Sequence, residues 1–125
     1  MKSGADVVRF PADKADWRFT HGFVENVAAA IAEATVHTTA SDQIYNLGES
    51  VTPTFQDRIE QLAVVAEWDG EIVPTPSEDL PEDQREPADW DYHLAMDTSR
   101  FADELDFKAP VDRRTALTRT FEWGG

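Results

Sequence analysis

Between Gly22 and Thr35 apolar residues recur at Phe23, Val24, Val27, Ala28, Ile31 and Ala34. This alanine-rich, 3.6-residue rhythm commits the segment to a helix with one face to bury. Pro53 to Trp68 repeats the pattern, with Phe55, Ile59, Leu62 and Ala66 on one stripe and Asp57, Arg58, Glu60 and Gln61 outside it. Pro53 suits the first turn of that second helix, and Thr52 is placed to cap it. Two further helices are expected near the end. One spans Ser99 to Leu105, with Asp97 as its cap and Phe101 and Leu105 on a shared face; the other runs from about Asp112 to Trp123, burying Leu117 and Phe121 at i, i+4.

Short β-prone runs lie between these helices. Val7 to Phe10 is stopped by Pro11, and Trp17 to Thr20 alternates aromatic with polar. Gln43 to Leu47 reads as a buried strand ended by Gly48. Asp69-Gly70 turns the chain into Glu71 to Val73, closed by Pro74 and Pro76. From Ser77 to Asp91 two prolines and a dense set of acids mark an exposed loop. The order is β-β-α-β-α-β-loop-α-α, a mixed α/β pattern that forms one unit over residues 1–125.

Composition excludes several function classes. Hydrophobic residues make up 41% of the 125, too many for a disordered acidic tail. With 25 Asp and Glu against 11 Lys and Arg the net charge is −14, which repels phosphate backbones and anionic lipid. Nucleic acid and membrane surfaces are therefore not expected as partners. The absence of cysteine rules out disulfides and thiolate metal sites. No apolar run approaches a membrane span, and Met1-Lys2-Ser3-Gly4 lacks the apolar stretch of a signal peptide, so a cytoplasmic location is expected. The acids are spread from Asp6 to Glu122, a distribution that favours a surface adapted to a salty, halophilic cytoplasm over a block that binds something cationic.

Three stretches carry a family resemblance: Gly22-Phe23-Val24-Glu25-Asn26-Val27-Ala28-Ala29-Ala30-Ile31, then Ile44-Tyr45-Asn46-Leu47-Gly48, and finally Met96-Asp97-Thr98-Ser99-Arg100-Phe101 through Glu104-Leu105, Pro110-Val111 and Thr120-Phe121-Glu122-Trp123. In order and spacing they resemble the C-terminal part of the extended short-chain dehydrogenase/reductases, the NAD-dependent epimerases and dehydratases of nucleotide sugars. The resemblance implies the substrate-binding portion of an extended Rossmann-type epimerase without the N-terminal dinucleotide-binding core. Such enzymes seat the cofactor on a Gly-rich βα turn and transfer protons with a Tyr-x-x-x-Lys pair. Neither is present: there is no G-x-G-x-x-G pattern, and neither Tyr45 nor Tyr92 has a Lys four residues later. The expectation is a fragment that is inactive alone, with no catalytic residues and no cofactor of its own; NAD or NADP is implied only for a full-length relative. The alternative is a stand-alone, non-catalytic binding or interaction module derived from that subdomain.

The same resemblance implies a nucleotide-sugar ligand whose diphosphate meets basic side chains, for which a guanidinium is suited. Arg18 lies just before the first motif, near where relatives carry a phosphate-contacting Arg. Arg85, in Arg85-Glu86-Pro87-Ala88-Asp89, resembles an Arg-x-Gly-Asp element without its glycine. Trp90 is the one tryptophan suited to a ligand contact, since Trp68 and Trp123 end amphipathic helices and are expected to pack. A fragment also implies partners, either the missing N-terminal Rossmann half or a second copy, through exposed apolar faces of the first helix and the Ile44 strand.

Other constellations have plainer readings. His21, His37 and His93 are too scattered for a ligand set and read as surface or capping residues. Asp79, Glu82, Asp83, Glu86, Asp89 and Asp91 lack the order of a calcium-binding loop, so no metal is expected. Asp89 and Asp91 read as solvated acids, not an acid/base pair. Asn46 reads as a residue satisfying backbone at a strand end.

Overall fold

A computed structural model describes residues 4–124; Met1 to Ser3, with the start read above, and Gly125 lie outside the described residues. The chain forms β1 (Val7–Pro11), α1 (Val24–Val36), α2 (Phe55–Val65), β2 (Glu71–Thr75), α3 (Ser99–Leu105) and α4 (Arg113–Trp123). This is a small mixed α/β fold with four helices and a two-stranded parallel sheet, in which Val7 faces Glu71 and Pro11 faces Thr75. Pro74 lies inside β2, opposite Phe10. A two-stranded sheet leaves each strand one unpaired edge, where a missing N–H costs no ladder bond.

Each helix end has a local cause. Thr54 caps α2: its hydroxyl accepts from Asp57 N–H at 3.0 Å while the Asp57 carboxylate accepts from Thr54 N–H at 3.0 Å, a closed capping box. The cap is thus Thr54 and not Thr52, and buried Pro53 precedes the helix instead of opening it. At the other end Glu67 adopts φ 51°, Trp68 N–H donates to Ala63 O and Glu67 N–H to Val64 O, a Schellman closure with a non-glycine in the left-handed position. Asp112 caps α4 by accepting from Thr115 N–H at 3.0 Å. Asp97 stands one residue before the N-cap Thr98 of α3 and accepts from Ser99 N–H at 2.9 Å.

Two expected strands do not form. Gln43 to Leu47 has no ladder, and Ile44 is 88% exposed. β1 and β2 pair with each other, so no neighbouring strand meets this segment; the Arg100 guanidinium bonds the Ile44 carbonyl and the Gln43 amide instead. Trp17 to Thr20 is extended but makes only single bridges, Arg18 with Thr54 and Phe19 with Leu94. The loop at 77–91 is largely exposed, with short 3-10 turns, and Leu80 is buried at 2% exposure.

One core joins Ala30 of α1 to Phe101 and Leu105 of α3, with Tyr45, Leu47 and Phe107 packed around them. Phe101 meets Tyr45 and Phe107 edge to face at 5.2 and 5.3 Å. Under the sheet, Phe10 and Pro11 are buried and Phe10 meets Phe55 at 5.4 Å. α4 packs on α2 and buries Ala116 and Leu117. Trp123 does not pack as expected: it projects from the last turn at 90% exposure. Trp68 lies beyond α2, with its ring against Gly70 and its indole N–H donating to Ala5 O at 2.7 Å.

The apolar stripe of α1 divides. Phe23, Val27, Ala30 and Ala34 turn inward, whereas Val24, Ala28 and Ile31 form an outward row, with Val24 at 72% and Ile31 at 54% exposure. A helix apolar on two sides has one face left for something else to cover.

Candidate functional site

A cleft of about 460 Å³ lies between the start of α1, residues 47–51, the start of α3 and the start of α4. Three of its polar side chains are already engaged. Asn26 accepts from Val111 N–H and donates to Val111 O, both at 2.9 Å, pinning α1 to the approach of α4. Asp97 is held by Ser99 and Asp112 by Thr115, and these bonds pull both carboxyls below their ordinary range.

Glu49 and Arg113, also on the wall of the cleft, are under-partnered. Glu49 sits between Arg58 of α2 at 3.5 Å and Arg113 of α4 at 3.4 Å. These are charge contacts longer than hydrogen bonds. Buried atoms therefore lack a hydrogen-bond partner: Arg58 Nη1, Arg113 Nε and Nη2, Glu49 Oε2, Gln61 Oε1 and His21 Nε2. Two guanidiniums facing one carboxylate leave a surplus positive charge in an acidic protein. Burial, followed by repulsion from Arg58 and Arg113, pushes His21 from 6.5 down to about 4, so the imidazole is neutral at physiological pH. Its ring lies against Phe19 at 3.9 Å. His21 is thus partly buried and caps no helix.

The residues singled out by sequence lie elsewhere, around the 77–94 segment, and none of the three lines the cleft. Arg18 is exposed; its backbone N–H donates to His93 Nδ1 at 3.0 Å and its guanidinium to Thr52 O at 2.6 Å. Arg85 bonds Leu80 O at 2.9 Å and Glu78 O at 3.2 Å, closing its own loop. Trp90 meets Trp17 edge to face at 4.9 Å, and its indole N–H donates to Glu86 O at 3.2 Å. Sequence reasoning placed Arg58 on the solvent side of α2 and passed over Glu49 and Arg113. Nothing local marks them, because one carboxylate gathers them from a loop and two helices.

No known family profile matches the chain, and no curated protein does. A solved structure is similar to almost the whole of this chain. It is RMD from Pseudomonas aeruginosa complexed with NADPH, aligned with a TM-score of 0.62 at 19% identity. The alignment covers 97% of this chain and 37% of that one, so the chain spans little more than a third of the neighbour's length. At this identity the likeness is one of fold.

The turn after β1 is not a Gly-rich pyrophosphate cradle. A pyrophosphate cradle needs glycines that open backbone N–H groups after the first strand. Here β1 ends in Pro11, which has no N–H, and the turn Ala12–Lys14 holds no glycine. Tyr45 is also committed: its hydroxyl donates to Glu104 at 2.6 Å, which raises its pKa, and Arg100 grips the same carboxylate at 2.8 Å. Among the described residues no cluster of three His, Asp or Glu could hold a metal ion, and no helix is long and apolar enough to cross a membrane.

Proposed function

We propose that this chain is the part of an NAD(P)-dependent nucleotide-sugar epimerase or dehydratase that holds the sugar nucleotide. On this reading the cofactor and the proton-transferring residues belong to a dinucleotide-binding portion outside these 125 residues. One observation carries it: nearly all of the chain aligns with about a third of an NADPH-complexed chain. The outward row of α1 and the exposed Ile44 support it, since they offer apolar surface on which that other portion would dock. Arg18, exposed and steadied by Thr52 O, is assigned to the diphosphate; Arg85 and Trp90 are assigned to the same ligand.

Calorimetric titration with UDP- and dTDP-sugars tests the reading. Binding is expected for the chain and is lost in Arg18→Ala, a surface change that leaves the fold in place. No turnover is expected when NAD is added to the chain with the same sugars. Absence of binding to every nucleotide sugar, or turnover by the chain alone, overturns the reading. A monomer that unfolds cooperatively and ignores a hydrophobic dye points instead to the stand-alone module.

A further inference from the structure

Lys14 is 8% exposed, an unusual burial for a residue with a cationic tip. Its surroundings explain it. The ammonium lies 4.1 Å from the centre of the Phe55 ring, 4.6 Å from Trp90 and 5.8 Å from Trp17, and pairs with Glu86 at 2.5 Å. Three aromatic faces and one carboxylate are the elements from which alkylammonium receptors are built. The walls come from separate parts of the chain: Trp17 follows the turn after β1, Phe55 opens α2, and Glu86 and Trp90 belong to the acidic segment.

We propose that Trp17, Phe55, Trp90 and Glu86 form an ammonium-binding cage that Lys14 fills in cis, and that this occupancy fastens residues 82–91 to the body of the protein. Beside this cage the segment is held by the Trp17–Trp90 ring contact and, just past its end, by the Trp17 indole N–H on Tyr92 O at 2.7 Å. Its residues are exposed apart from Trp90, which is half-buried, and Arg85 bonds only the backbone of its own loop. Five acids at Glu82, Asp83, Glu86, Asp89 and Asp91 repel one another, and Lys14 brings a positive charge among them. The inference shares Trp90 with the nucleotide-sugar reading but does not rest on it.

Hydrogen exchange read by mass spectrometry tests it, with α4 as internal reference. Lys14→Met keeps the length of the side chain and removes its charge; exchange in 82–91 is expected to rise about tenfold with α4 unchanged, as for the loss of a desolvated cation–π and ion-pair anchor. Lys14→Ala vacates the cage, and millimolar butylammonium is expected to restore protection where equal sodium chloride or butanol does not. Full protection in Lys14→Met overturns the proposal, because packing alone then holds the segment. Opening that butylammonium fails to reverse overturns the receptor. If Lys14→Ala loosens α4 equally, Glu86→Gln asks the same question with Lys14 in place: protection of 82–91 alone must fall, and unchanged protection overturns the proposal.

Discussion

His21 stands on a hydrogen-bonded crossing, where its carbonyl accepts Glu49 N–H at 2.7 Å, and its ring faces two guanidiniums. With a folded pKa of about 4 against 6.5 when unfolded, the unfolded chain binds a proton that the folded chain refuses between those values. Stability therefore falls as pH drops through that window, by on the order of 1 kcal/mol once solvent screening at a half-exposed ring is allowed for. His21→Phe should flatten this part of the acid response, seen as a smaller fall in the urea midpoint between neutral pH and pH near 4. Glu49 has the opposite leverage. Glu49→Ala leaves Arg58 and Arg113 facing each other without their shared anion and should cost about 3 kcal/mol, whereas Arg113→Met leaves an Arg58–Glu49 pair and should cost less than about 1 kcal/mol. Equal losses in chemical denaturation would show that the triad acts by packing alone.

At the scale of elements, α2 is fixed by its ends. Thr54→Ala removes one side of the capping box and should cost about 1 kcal/mol, while Thr52→Ala should be close to neutral in the same thermal melts. Glu67 holds the left-handed position of the Schellman closure, which disfavours a side chain, so Glu67→Gly should stabilise by up to about 1 kcal/mol. Such local rules explain why the helices were legible in the sequence: α3 begins and ends where Ser99 and Leu105 place it, and α4 starts one residue after its Asp112 cap. Gly48 was legible as a break for a related reason. A Cβ there would lie 2.9 Å from His21 O and 2.4 Å from Thr20 Cγ2, so the backbone crossing needs glycine. The strand at Gln43 to Leu47 was misread because ladder formation depends on a neighbour that no local pattern reports. The Glu49, Arg58 and Arg113 cluster escaped for the same reason, since α2 and α4 meet only in three dimensions. The division of the α1 stripe was equally hidden: periodicity shows that Val24, Ile31 and Val27 are apolar, and packing alone decides which of them turns inward.

For the molecule as a whole, the charge of −14 has few internal counterweights. Among the described residues the ion pairs formed by Lys and Arg answer Glu25, Glu49, Glu86 and Glu104, and Arg58 and Arg113 are both spent on Glu49. Most other acids project into solvent, where like charges raise the free energy of the compact state more than that of the expanded one. At an ionic strength near 1 M the Debye length shrinks to about 3 Å, shorter than the spacing of most surface carboxylates. Added KCl should therefore raise the melting temperature steadily from dilute buffer to molar salt. The Arg58–Glu49–Arg113 triad pulls the other way, since screening weakens attraction as well as repulsion. Its side chains are largely shielded from solvent, so this loss is small beside the gain from the exposed acids. Differential scanning calorimetry across a KCl series decides the balance: a melting temperature that does not move with salt would mean that the acidic surface carries no stability penalty.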